Sequence, residues 1–129
     1  MMTEKRHHPR VYFTLDEAVT ITVRPEEEDA TGIVPAIMLS IGVGGIGFGF
    51  IRGRLGGLEI GKYLSIQADG SIPGYLPGLP PLRAKVRYIQ DLEQFVWVAA
   101  GCQFIDLEDK EIGKIERLVK ERRRLLAMD

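Results

Sequence analysis

Cysteine and histidine are nearly missing from this 129-residue chain. The one cysteine, Cys102, excludes an internal disulfide framework and any cysteine-based zinc cluster. The two histidines, His7 and His8, are too thin a supply for a catalytic triad or a histidine-rich metal site. No run approaches about eighteen apolar residues, so no helix is expected to cross a membrane. The first ten residues lack the apolar core of a secretion signal, and the chain reads as cytoplasmic. An excess of charge is lacking too, because 17 Lys and Arg stand against 18 Asp and Glu. Global electrostatics therefore favours neither DNA or RNA nor an anionic membrane, and any anion must be met by a local cluster. No nucleophile–base pair, metal set or GxxxxGK[ST] loop is present. Gly42–Gly47 meets GxGxxG only in part, without the strand–helix setting of a dinucleotide fold. The expectation is a chain that is no enzyme, with no catalytic residue, no metal and no cofactor.

Glycine is what the chain has in abundance, and it is concentrated. From Ser40 to Phe50 five of the eleven residues are glycine, and most of the others are β-branched or aromatic. A flexible linker would carry polar residues instead. Glycine along a strand marks a place where another backbone or a ligand comes close. Bulges and tight barrel corners explain such glycines equally well.

Around this stretch the chain reads as short strands. Val11–Val23 is the first strand region, with Val19, Ile21 and Val23 alternating against Thr20 and Thr22. The acidic loop Pro25–Asp29 follows. Gly32–Leu39 is the second strand, with Pro35 suggesting an edge or a bulge. Gly45–Ile51 is the third, Arg52–Gly57 a turn, and Leu58–Ala68 the fourth, with Leu64, Ile66 and Ala68 on one side. Four of the seven prolines fall in Ser71–Pro81, so that segment is an extended loop. Its apolar content fits either packing across a barrel end or docking of a partner. Leu82–Tyr88 places Leu82, Ala84, Val86 and Tyr88 on one face and Arg83, Lys85 and Arg87 on the other. Asp91–Gln94 turns the chain into the last strand, Phe95–Ile105.

Asp106 then looks like an N-cap with acids in the first turn after it. The helix that follows is expected to bury Ile112, Ile115, Leu118, Val119, Leu125 and Leu126. The basic run Lys120–Arg124 near its end is a solvated helix terminus or an anion site. Six short strands and one terminal helix predict an all-β fold: a six-stranded antiparallel β-barrel plus a C-terminal α-helix. The expected organisation is a single domain over 1–129, with an arginine arm at 1–10, the barrel at 11–105 and the helix at 106–127.

Arg6 and Arg10 stand four apart, and Pro9 between them pushes His8 away from helical backbone. The pair therefore sits on an extended arm before the first strand. Planar guanidinium groups bind phosphate or the O6/N7 edge of guanine in two-pronged fashion and stack on aromatic bases. The plainer reading of a basic arm is solvated surface.

The arm, the first strand, the acidic loop and the glycine-rich turn, in this order, resemble the PilZ family. Its RxxxR motif is matched by Arg6 and Arg10. Its [DN]xSxxG motif and Gly-Ile-Gly-Phe-like strand are matched in altered form from Ser40 onward. Gly101-Cys-Gln-Phe104 resembles the Gly-x-x-Phe of its last strand. The resemblance implies a barrel that binds cyclic di-GMP, with Arg6, Arg10, Ser40, Gly42 and Gly45 as the ligand-binding residues. It also implies an unidentified protein partner that reads the liganded state, with room for a homodimer. The family's other implied role is an adaptor for pilus or motility machinery that binds proteins and no nucleotide.

Two registers compete for the second motif. One puts Ser40 at the Asp/Asn place, Gly42 at the Ser place and Gly45 at the Gly place. The other puts Met38 at the acidic place, Ser40 at the Ser place and Val43 at the Gly place. The first keeps the glycine and the strand after it. Either register loses an acid or amide. A charged hydrogen bond is worth about 1.5–3 kcal/mol, so its loss corresponds to roughly ten- to a hundred-fold in affinity.

Overall fold

A computed structural model describes residues 9–26, 33–54, 58–68, 80–91 and 95–127. The described residues form seven strands and one long helix: β1 Arg10–Tyr12, β2 Thr20–Pro25, β3 Val34–Gly42, β4 Gly45–Ile51, β5 Tyr63–Ala68, β6 Leu82–Asp91, β7 Trp97–Phe104 and α1 Asp109–Ala127. All pairings are antiparallel. β3 pairs β4 along one edge, while its other edge is shared by β2 (at Val34–Ile37) and β1 (at Ser40–Gly42). The ring β2–β3–β4–β7–β6–β5 closes back on β2, so β1 extends the first of six barrel walls. The expected six-stranded barrel with a terminal helix is the fold observed.

Alternation fills the interior. Val19, Ile21, Val23, Ala36, Met38, Ile46, Phe48, Phe50, Leu64, Ile66, Leu82, Ala84 and Val86 are all buried. Burying each of the larger of these contributes about 1.5–3 kcal/mol, which makes the barrel core the main source of stability. α1 lays Ile115, Leu118 and Val119 against β1 and β3.

Several expectations need correction. Val11–Val23 is two strands, because Leu15–Glu17 forms a short 3-10 turn. The Glu17 carboxylate accepts the Thr14 backbone N–H at 2.7 Å, and Ala18 leaves the turn in the left-handed region at φ 51°. The fourth strand begins at Tyr63 and not at Leu58.

Asp106 does not cap α1. Its φ is 58°, and the helix begins at Asp109. There the buried Glu111 carboxylate accepts the Glu108 N–H at 2.8 Å, which is half of a capping box. Leu125 and Leu126 are exposed, and the buried face of α1 is Ile115, Leu118 and Val119. Pro35 stays within β3, exposed and paired with Thr22, and the irregularity of β3 falls between Met38 and Ser40. Residues 27–29 of the acidic loop, 55–57, 71–79 of the proline-rich loop and 92–94 lie outside the described residues.

Candidate functional site

β4 reads Gly-Ile-Gly-Phe-Gly-Phe-Ile, and the strand period of two sorts it cleanly. Ile46, Phe48 and Phe50 point into the barrel, and Gly45, Gly47 and Gly49 face out. The outer wall is therefore bare backbone, and other groups lie on it.

Arg10 is one of those groups. Its Nη1 donates to Ser40 Oγ at 3.1 Å. Its Nη2 lies 3.1 Å from where a Cβ on Gly45 would stand. A Cβ on Gly42 would come within 2.6 Å of the Pro9 carbonyl oxygen. The pairing of β1 with β3 sets this geometry, because Arg10 stands opposite Gly42 and Tyr12 opposite Ser40. Four of the five expected site residues (Arg10, Ser40, Gly42 and Gly45) thus meet on one patch. Arg6 lies outside the described residues. Met38, the acidic place of the second register, is a core residue only 2 % exposed, while Ser40 touches the arginine.

Beside the patch a cavity of about 370 Å³ opens between Pro9, the β3–β4 turn at Val43 and α1. That volume lies in the range of small-ligand sites. Lys120 and Arg123 line it together with Glu116 and Val119. The basic run is thereby divided in role. Arg122 bonds Glu17 at 2.7 Å and the Tyr12 carbonyl at 3.2 Å, and its guanidinium carbon sits 4.5 Å from the Phe13 ring centre. The Arg122 hydrogen bond, helped by the Thr14 N–H, holds the Glu17 carboxyl below the usual carboxylate range. Arg124 pairs with Glu121 and lowers its pKa in the same way. Arg52 is tied to Asp91 and the Phe95 carbonyl.

Cys102 is inert by comparison, because burial pushes its thiol up to about 12. No group of three His, Cys, Asp or Glu among the described residues could hold a metal.

Alternation groups Tyr88 with Leu82, Ala84 and Val86 on one face, but those three are buried while Tyr88 is exposed and lies against Gly101 on this outer wall. The one available signal was Gly101 itself, an otherwise unexplained glycine in the middle of a strand.

A PilZ domain profile matches residues 4–121. No curated protein matches the chain in sequence. Among solved structures, the PilZ domain of YcgR from Escherichia coli with c-di-GMP superposes with a TM-score of 0.73 at 12 % identity, over 95 % of both chains. The Bacillus subtilis inhibitor of motility MotI/DgrA gives 0.69 at 15 % identity, over 94 % of this chain and 52 % of its own. The K. pneumonia MrkH–c-di-GMP complex gives 0.67 at 14 % identity, over 95 % and 56 %. The chain thus spans about half the length of MotI and MrkH and nearly all of the isolated YcgR domain. At these identities the likeness is one of fold.

Proposed function

The chain belongs to the PilZ domain family, and on that premise we propose that it is a receptor for cyclic di-GMP that passes the signal on by binding a protein. The observation that carries this reading is the seating of Arg10 on the bare outer wall, bonded to Ser40 and laid over Gly45. The first motif's arginine is therefore held against the residues expected of the second. Structures of the YcgR domain and of MrkH contain the same nucleotide.

In this reading Arg10 and Arg6 grip phosphate and the guanine edge, for which the guanidinium fork is suited. Ser40 orients Arg10 by accepting its hydrogen bond and stands in for the missing acid. Gly42 and Gly45 let the arm and the ligand reach the backbone. Lys120 and Arg123 add positive charge at the adjoining cavity. No bond is made or broken. The output is a changed surface offered to a protein partner, a second copy of the chain included. We place this activity in the cytoplasm; no helix among the described residues is long and apolar enough to cross a membrane.

Titration calorimetry of the wild type, Arg6→Ala and Arg10→Ala with cyclic di-GMP tests the reading. Micromolar binding is expected for the wild type. Arg10→Ala removes a charge-assisted contact worth about 1.5–3 kcal/mol and weakens affinity roughly ten- to a hundred-fold. Neither heat nor thermal shift at several hundred micromolar nucleotide overturns it.

A second reading, an adaptor that binds a protein without nucleotide, is favoured by one feature. An apolar groove of about 300 Å³ runs along the outer wall between Leu15, Leu39, Phe95 and Trp97. Capture of a partner that ignores both the nucleotide and Arg10→Ala supports it. Capture only with nucleotide present counts against it.

A further inference from the structure

We infer that Glu116 on α1 is a specificity-determining residue that reads the guanine edge of the nucleotide, an inference that rests on the cyclic di-GMP reading above. Either register of the second motif lacks its acid. Ser40 accepts from Arg10 in that place but brings no charge. Glu116 brings a carboxylate to the same turn from a different element.

The helix spacing creates the arrangement. Glu116, Val119, Lys120 and Arg123 follow one another at intervals of three, one and three residues, so they share one face of α1. Val119 is also part of the buried face with Ile115 and Leu118, whereas Glu116, Lys120 and Arg123 are exposed. The charged stripe therefore borders the seam where α1 meets β1 and β3. It faces the cavity of about 370 Å³ that Pro9 and Val43 line from the barrel side. Both of those residues belong to the arginine patch. Pro9 immediately precedes Arg10, and Val43 follows Gly42, over which the Pro9 carbonyl is laid.

The cavity is divided by chemistry. Pro9, Val43 and Val119 give it apolar walls, and Glu116, Lys120 and Arg123 are its charged groups. Apolar walls with a few convergent polar groups are the form of a small-ligand site. Bases pack against apolar side chains as well as aromatic ones.

The charges then have complementary tasks. An ionised carboxylate only accepts hydrogen bonds. Guanine presents two adjacent donors on its Watson–Crick edge, N1–H and the 2-amino group, and the two oxygens of one carboxylate can take both. Lys120 and Arg123 follow about 6 Å and about 10 Å further along the helix axis, where they meet phosphate. Arg122 and Arg124 of the same helix are committed to Glu17 and Glu121. Among the described residues no ion pair engages Glu116, Lys120 or Arg123.

The sign of the effect separates this role from a plain surface charge. A carboxylate that only stands near an anionic nucleotide repels its phosphates, so removing it tightens binding. A carboxylate that accepts from the base weakens binding when it is removed. The test is titration calorimetry of cyclic di-GMP and of cyclic di-IMP, which lacks only the 2-amino groups, into the wild type, Glu116→Ala, Lys120→Ala and Arg10→Ala. The wild type is expected to prefer cyclic di-GMP, and Glu116→Ala to weaken it roughly ten- to a hundred-fold and bind the two nucleotides alike. Lys120→Ala is expected to weaken both by the same factor and keep the preference. Position 116 is exposed and alanine is the best helix former, so the variant folds, which thermal unfolding checks. Unchanged or tighter binding of cyclic di-GMP by Glu116→Ala, with affinity lost in Arg10→Ala, overturns the inference and leaves the receptor reading standing. Equal affinity of the wild type for the two nucleotides also overturns it, without recourse to a variant. No binding of either nucleotide by the wild type overturns both.

Discussion

The two faces of β4 are made from adjacent residues and serve opposite ends. Inward, Ile46, Phe48 and Phe50 are at most 3 % exposed, and the two phenylalanine rings stand 6.0 Å apart. Outward, Gly45, Gly47 and Gly49 bring no side chains, yet they too are shielded from water. Arg10 covers the first, Ser40 the second, and Leu39 with Trp97 the third. The inner face stabilises the barrel by its own area. The outer face is defined by what other elements lay across it, and the arginine arm is among them. On the proposed reading stability and binding are separated across the thickness of one strand, and substitutions on the two faces are expected to fail in different ways.

The largest effect belongs to the inner face. Phe48 has no exposed surface, and Phe48→Ala leaves a cavity in a closed barrel. A loss of about 3–5 kcal/mol in urea unfolding is expected. Protein that remains folded should bind nucleotide as the wild type does, because Phe48 reaches no outer group. A variant with normal stability and abolished binding would break the division of the two faces.

That division was only half legible in the sequence. Residues whose partners are near in sequence, or whose alternation is strict, declared themselves. Val19, Ile21 and Val23 are buried as expected, as are Leu82, Ala84 and Val86, and the glycine-rich strand was placed within its true bounds at Gly45–Ile51. Arg10 and Ser40 were singled out from motifs, and their contact over thirty residues supplies the geometry that the motifs could not.

The misses share a physical cause, which is that a neighbour outside the local pattern decides the outcome. Alternation groups Tyr88 with the buried Leu82, Ala84 and Val86, because it cannot reveal a bulge in the pairing of β6 with β7. Leu125 and Leu126 keep the helical spacing but are exposed, because spacing alone does not show how far along a helix its packing partners extend. Asp106 has the chemistry of a cap, yet it adopts a left-handed turn, and Glu111 supplies the side-chain contact at Glu108 instead.

On the outer face, Gly45→Ala is the next largest perturbation. Its Cβ would collide with the Cys102 carbonyl of β7, which is backbone and cannot swing aside, and would also press on Arg10. Overpacking of this kind costs about 1–3 kcal/mol. Unlike Phe48→Ala, this variant should lose stability and nucleotide affinity together, since the same methyl group disturbs the β4–β7 ladder and the seat of the arginine. Lost stability with unchanged affinity would show that Arg10 does not act from the position seen here.

Gly49→Ala sharpens the comparison from the other side. A Cβ at Gly49 would meet Leu39 Cδ1 and Trp97 Cε3 at 3.6 Å and the Val98 carbonyl at 3.8 Å, all ordinary van der Waals distances. Its φ is not in the left-handed region, so alanine fits the backbone. Replacing a glycine under those conditions narrows the unfolded ensemble and stabilises by about 0.4–1 kcal/mol. Gly49 also lies a row beyond the paired Ser40 and Gly47 and away from Arg10, so nucleotide affinity should stay within twofold of the wild type, an effect of at most about 0.4 kcal/mol. Thermal unfolding and one titration separate the outcomes. A rise in melting temperature at constant affinity means that the glycines of this wall differ in role, with Gly45 kept for close approach and Gly49 replaceable. A fall in affinity at Gly49 would extend the binding surface down the wall toward Trp97 and the apolar groove, and would join the two surfaces that the receptor and adaptor readings treat as separate.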